Sequence, residues 1–214
     1  GAAGVSWVDP PAPPPPHGLV VFHDDTLDRT TDGSGPLRSA TLEHLGSLDA
    51  GSRYGRGFSG EPIPVFEDAV EAVQRLGLSM NVEIKTDDET PRDLVDAIVA
   101  CVRRVWRGGP DRLLYSSFSP AAVAAVRDAA PDYPRGLIAG RLPAGWETTA
   151  RELGCVSLHL GCRDLTAAQV SAVRAAGYAL AVWTVNDRAE AERLFAWGVD
   201  TIITDDPEAM RDLG

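Results

Sequence analysis

What this chain lacks narrows its possibilities before any motif is read. Cysteine is scarce: Cys101, Cys155 and Cys162 form an odd set with no metal-type spacing. That argues against a disulfide framework and points to buried or indifferent thiols in a reducing, cytoplasmic compartment. No apolar run is long enough to span a bilayer, and no signal-peptide pattern is present. The chain opens on Gly-Ala-Ala-Gly rather than methionine, which leaves its natural start open. Positive charge is short: 20 Lys and Arg face 31 Asp and Glu, a formal net charge of −11. Nucleic acid and anionic membrane are poor partners for such a field. Any phosphate handled here must be held by a few local cations or by a divalent metal. No Gly-rich dinucleotide fingerprint follows an early strand, which counts against a doubly wound nucleotide-binding fold.

What is present is a sizeable core and a steady alternation of elements. With 214 residues, 44% of them hydrophobic, and no linker or composition shift, the chain reads as a single domain. Phe66, Ala69, Val70, Val73 and Leu76 follow helical spacing with one apolar face. Strands are expected at 80–84, 113–118, 136–139, 156–160, 179–185 and 201–204, with another at 20–23 and a further one at 5–8. Helices are expected at 91–106, 120–130, 147–153, 166–176 and 187–197, and after Asp206-Pro207. Several carry their own start signals: Thr90 with Pro91, Ser119 with Pro120. Glycines 154, 177 and 198 are the matching stops. Such alternation implies a parallel sheet, doubly wound or closed as a barrel. A (β/α)8 barrel usually needs ~250 residues, so this chain is short by about one β/α unit, at its front. Residues 10–16 read Pro-Pro-Ala-Pro-Pro-Pro-Pro, a stiff segment that no central strand tolerates.

Two stretches carry the chemistry. Val20-Val21-Phe22-His23-Asp24-Asp25-Thr26-Leu27-Asp28-Arg29-Thr30-Thr31-Asp32-Gly33 and Asn81-Val82-Glu83-Ile84-Lys85 are apolar runs that stop at ionisable groups. That is the pattern of buried parallel strands delivering chemistry at their carboxyl ends. A period of two puts Glu83 and Lys85 on one side of their strand. A histidine, a carboxylate and an ammonium suit a metal-assisted attack on a phosphate ester. The plainer readings are a structural His23 and a Glu83–Lys85 ion pair; a Glu83 buried without a cation would be costly. The Asp24-Asp25 and Asp28 to Asp32 carboxylates sit in a turn composition and read as turn and capping groups. Trp183 either fills the barrel or faces the pocket, and His159 is a weaker candidate that also suits a hydrogen-bonded core histidine.

The His23 string resembles the second signature of the glycerophosphodiester phosphodiesterases. Asp49-Ala50-Gly51, Gly60-Glu61-Pro62-Ile63-Pro64, Asn81 to Lys85, Ser116-Ser117-Phe118, Val182-Trp183-Thr184-Val185-Asn186 and Thr204-Asp205 continue the resemblance in order over roughly residues 18–208. It implies a (β/α)8 barrel, lacking its first β/α unit, that hydrolyses glycerophosphodiesters to sn-glycerol 3-phosphate and an alcohol with Ca²⁺ or Mg²⁺. Carried over residue by residue, it makes His23 catalytic, Glu83 a metal ligand, Lys85 a phosphate contact and Trp183 an aromatic near the glycerol. The family's first strand, with its His-Arg-Gly signature, has no match. Its Glu-x-Asp metal pair falls where the chain has Asp9-Pro10-Pro11. Asp9 can take the glutamate's place as a metal ligand; Pro11 offers no side-chain ligand. A local frame shift would leave such an aberrant island at 9–17. The rival readings are a catalytically inactive barrel that binds a phosphorylated ligand or partner protein, and another barrel phosphodiesterase such as a phospholipase D-like enzyme.

Overall fold

A computed structural model describes residues 18–86, 91–211 and 213. The strand expected at 5–8, Asp9, the proline-rich segment, His17 and Thr90 lie outside the described residues. Among those described, a first short helix, α1 (Leu42–Ser47), is followed by α2 (Phe66–Arg75), β1 (Met80–Glu83), α3 (Arg92–Val105), β2 (Leu113–Ser117), α4 (Pro120–Ala129) and β3 (Arg135–Ala139). Then come α5 (Trp146–Glu152), β4 (Ser157–Gly161), α6 (Ala167–Ala175), β5 (Ala179–Trp183), α7 (Arg188–Trp197) and β6 (Thr201–Ile202). The six strands pair in parallel in the order β1-β2-β3-β4-β5-β6. A doubly wound sheet reverses its order partway; an unbroken sequential order is that of a (β/α) barrel. The sheet curls as a partial barrel.

Alternation along each strand sorts the side chains. Met80, Val82, Ile84, Leu113 and Tyr115 pack with Val95, Ile98 and Val102 of α3 and Val126 of α4. Leu137, Leu158, Leu160, Leu180 and Val182 do the same with Val170 and Val173 of α6 and Leu194 of α7. Each such side chain, fully buried, contributes roughly 1.5–3 kcal/mol. The intervening positions, Asn81, Glu83, Ser116, Gly136, Ser157 and His159, therefore lie on the face turned away from the helices. A Cβ on Gly136 would stand 2.6 Å from Ser157 Oγ and 2.7 Å from His159 Nε2, so the absence of a side chain there lets the histidine lie across the sheet.

The helices begin where their caps say. Ser119 accepts from the Ala122 N–H with Pro120 in the first turn, and Asp187 accepts from the Glu190 N–H. Thr166 and Gln169 form a reciprocal capping box. Pro91 is itself the N-cap of α3 rather than its first helical residue.

Two expected elements do not form. Residues 20–23 make no strand: Val20 pairs with Val65 in one antiparallel bridge, flanked by Val21 N–H to Pro64 O and Phe66 N–H to Leu19 O. The facing segment contains Pro62 and Pro64, which lack the donors a ladder needs. After Asp206 the chain turns instead of forming a helix. Asp206 caps Ala209 N–H, but the Arg188 guanidinium takes the carbonyls of Ala209 and Arg211 that a helix would direct along its axis.

Candidate active site

The segment before α2 is built from turns that side chains hold. Thr31 is fully buried; its hydroxyl donates to Leu27 O and accepts from Gly33 N–H. Asp28 accepts from Gly35 N–H, and Asp32 from Asp49 N–H. Asp49 in turn accepts from the N–H groups of Gly51, Ser52 and Gly60 and from the Ser59 hydroxyl. Those bonds hold its carboxyl below the ordinary carboxylate range. Gly51 is required at the neck of this loop, because a Cβ there would lie 1.8 Å from Phe58 O. Beneath the turns Val20, Phe22, Leu27, Leu37, Leu45, Leu48 and Ile63 form a small apolar core of their own. Asp28 and Asp32 are turn and capping groups, as their composition predicts, whereas Asp24 is not.

Asp24 binds His23 and Arg29 at once. Its Oδ1 lies 2.7 Å from His23 Nδ1, and Arg29 grips the carboxylate through Nε to Oδ2 at 2.5 Å and Nη2 to Oδ1 at 2.8 Å. The Arg29 hydrogen bonds, followed by those from His23, hold Asp24 down to about 2, so it is ionised throughout the physiological range. With Nδ1 engaged by a carboxylate acceptor, the Nε2 of His23 is left to face outward. The His23 side chain is 70% exposed. It borders a cavity of about 220 Å³ lined also by Val21, Phe22, Thr30, Ala50, Ile63 and Pro64.

Lys85 joins this segment to the end of β1. Its Nζ donates to the His23 carbonyl oxygen at 2.7 Å. It is the only lysine in the chain. Glu83, two residues earlier, is 5% exposed, and its Oε1 has no protein partner among the described residues. Burial raises its pKa and the Lys85 charge opposes that rise. The ends of β1 and β2 are clasped by Ser117, whose hydroxyl donates to Ile84 O at 2.6 Å. Lys85 thus ties the His23 backbone to the carboxyl end of β1, two residues beyond the buried Glu83.

Trp183 stands elsewhere on the rim, at the end of β5. Its Nε1 donates to His159 O at 3.2 Å, and its ring meets Phe118 edge to face at 5.5 Å between centroids. Asn186 staples the two neighbouring strand ends, donating to Asp205 and accepting from the Thr204 hydroxyl and Asp205 N–H. His159 is a core residue: its Nε2 lies 3.0 Å from Ser157 Oγ, its Nδ1 has no protein partner among the described residues, and burial lowers its pKa to about 4. Asn81 and Ser116, on the same face of the sheet, also carry buried polar atoms without protein partners among the described residues. His44, at the exposed α1, takes no part.

Sequence reasoning missed Asp24 as the partner of His23, and Arg29 altogether. The Arg29 spacing, six residues after His23, held the signal, but only the turn at 24–30 reveals what it grips. Among the described residues no three His, Cys, Asp or Glu side chains cluster as a metal set. Glu83 alone, buried with an orphaned oxygen, suits a cation, and Asp9 lies outside the described residues.

The whole arrangement is a partial (β/α) barrel with ionisable groups at the carboxyl rim, the usual place for catalysis in such folds. Residues 17–209 match the model of the glycerophosphoryl diester phosphodiesterase family. The chain is 33% identical over 196 residues to a glycerophosphodiester phosphodiesterase of Caldanaerobacter subterraneus, covering 91% of this chain and 79% of that one. It superposes with a TM-score of 0.88 and 31% identity on an Oleispira antarctica phosphodiesterase solved with its product sn-glycerol-3-phosphate, covering 97% of this chain and 82% of the other. A Galdieria sulphuraria structure at 21% identity and TM-score 0.81 repeats the fold. This chain belongs to the glycerophosphoryl diester phosphodiesterase family, a family of hydrolases.

Proposed function

We propose that the chain hydrolyses glycerophosphodiesters, such as the choline or ethanolamine esters, to sn-glycerol 3-phosphate and an alcohol, in the cytoplasm. The observation that carries this reading is the Lys85 bond that ties His23 to the end of β1, with the Lys85 charge acting on the buried Glu83 and His23 backed by an ionised carboxylate. The phosphodiesterase resemblance of the motifs that hold these residues adds to it, as does the product named for the Oleispira relative.

Phosphodiester cleavage is an in-line displacement that needs charge neutralised on the non-bridging oxygens and a proton moved at the attacking or leaving oxygen. His23 is the proton-transfer group, acting at Nε2. Lys85, tethered beside it, places a positive charge for the phosphate. Trp183, braced by Phe118 and His159 O, offers an aromatic face to the glycerol. Glu83, with Asp9 as a second candidate, would hold a divalent ion, Ca²⁺ or Mg²⁺. Such an ion supplies charge neutralisation at the phosphoryl oxygens.

The test is turnover of glycerophosphocholine and glycerophosphoethanolamine by the full chain across a titration of Ca²⁺ and Mg²⁺. His23→Ala should lower kcat by ~10²–10⁴-fold with its circular dichroism retained. Glu83→Gln should weaken divalent-ion binding measured by calorimetry. Ion and phosphate binding without turnover in the parent chain would instead establish the non-catalytic barrel.

A further inference from the structure

We propose that Asp24 and Arg29 are a coupled pair of positioning residues that sets the ring orientation and proton affinity of His23, with opposite effects. The inference rests on His23 being the proton-transfer group, and its geometry is independent of any metal. Asp24 Oδ1 accepts simultaneously from His23 Nδ1 and Arg29 Nη2, while Arg29 Nε closes the fork on Oδ2. A planar guanidinium matched to both carboxylate oxygens fixes the carboxylate plane. The carboxylate then fixes one imidazole nitrogen, leaving Nε2 as the reactive one. Exposed histidines are ordinarily free to flip between rotamers and tautomers. This one, 70% exposed, has a partner that is itself only 19% exposed and twice bonded to arginine.

The signs follow from the charges that face the ring. Asp24 is the anion in contact and favours imidazolium. Arg29 is a cation one bond removed; it draws on the same oxygen and opposes imidazolium. Lys85 adds a second cation at the His23 carbonyl, and Asp205, in the loop after β6, is an anion that further favours the charged form of Arg29. Arginine here is a brake on the effect of Asp24 as well as its clamp. The pair therefore holds the ring in one orientation while its two charges act on the imidazole in opposite senses.

The measurement is a ¹⁵N-edited NMR titration of the full chain, with the His23 resonances assigned through His23→Ala, alongside the pH profile of kcat/KM. Asp24→Asn should move the His23 midpoint down by roughly half a pH unit and mix its tautomers; Arg29→Gln should move it up by a similar amount. Arg29→Lys keeps the charge but not the fork, so its midpoint should stay near the parent while tautomer purity falls. It also tests the idea if Arg29→Gln folds poorly. The acid limb of kcat/KM should follow each midpoint. Equal midpoints in all variants, or shifts of one sign for both Asp24→Asn and Arg29→Gln, would overturn the proposal. Opposite shifts by NMR with an unmoved kinetic profile would support the pair and overturn the catalytic role of His23 instead.

Discussion

The two parts of this molecule, residues 18–65 and residues 66–203, are held together by different means. In the second, parallel strands and amphipathic helices bury a near-continuous apolar core, and the backbone satisfies itself in ladders and helices. In the first, β structure among the described residues is limited to isolated bridges at Val20–Val65, Thr26–Pro36 and Asp49–Pro62. The turns there are held by Asp28, Thr31, Asp32 and Asp49 side chains bonded to backbone N–H groups. The site straddles the join. His23 comes from the part fixed by side chains; Glu83 and Lys85 come from the part fixed by burial. A barrel gives a rigid rim, and a polar turn segment laid over it brings a titratable group there without the cost of burying it.

The sharpest contrast should appear on truncating the core. Ile98 is fully buried in α3 against β1 and β2. Ile98→Ala should cost about 2–5 kcal/mol in chemical denaturation, with one cooperative transition shifted to lower denaturant. A cost below 1 kcal/mol would mean that the barrel half is not the main source of stability.

An effect of the second rank comes from His159. Its folded-state pKa is depressed from 6.5 to about 4 by burial. The unfolded chain therefore binds the proton more readily between those values, and stability is lost as pH falls below 6.5. At pH 5 the loss relative to pH 7.5 should be about 2 kcal/mol from this group. His159→Asn should remove that slope while lowering stability at neutral pH. An unchanged slope would assign the acid sensitivity elsewhere.

Much of the barrel half was legible because its rules are local and periodic. Ser119-Pro120, Thr166, Asp187 and Gly198 announce helix ends by chemistry that needs no partner from afar. The strands at Met80, Leu113 and Leu158 follow from apolar runs of strand length. The front segment was legible in its motifs but not in its geometry. Residues 20–23 read as a strand, yet what they face is decided by Pro62 and Pro64, some forty residues later. Asp24 read as one more turn aspartate because its adjacency to His23 reveals nothing until the turn at 24–30 returns Arg29. Glu83 was recognisable as a buried charge, and its orphaned Oε1 keeps that problem visible in the fold. Trp183 was readable as a strand-end aromatic, while its brace on His159 O and Phe118 depends on strand register.

Cap removal should act at a third level. Thr166→Ala deletes the hydroxyl half of the capping box of α6, leaving Gln169 on the backbone N–H of residue 166, and should cost about 1 kcal/mol. Because α6 packs on β4 and β5, the loss should register in global unfolding. A local loss of amide protection confined to 166–170 would show instead that α6 frays independently.

The smallest effect on global unfolding should come from Asp49, and it separates the two parts most cleanly. Its carboxylate accepts four hydrogen bonds that close the loop at 51–60, and its own N–H is held by Asp32. None of these partners belongs to the apolar core of the barrel half. Asp49→Ala should therefore leave the main denaturation midpoint nearly unchanged while the loop opens. Limited proteolysis at Arg53 and Arg56 should accelerate by roughly 10-fold or more, as expected where opening becomes local. Ala50, Ile63 and Pro64 border the cavity beside His23, so turnover should fall with the loop even though His23 is intact. The side-chain bonding of the first part would then be functional scaffolding, energetically separable from the barrel. A midpoint that drops as far as that of Ile98→Ala would show the opposite: that the two parts fold as one cooperative unit and that the polar turns carry global stability.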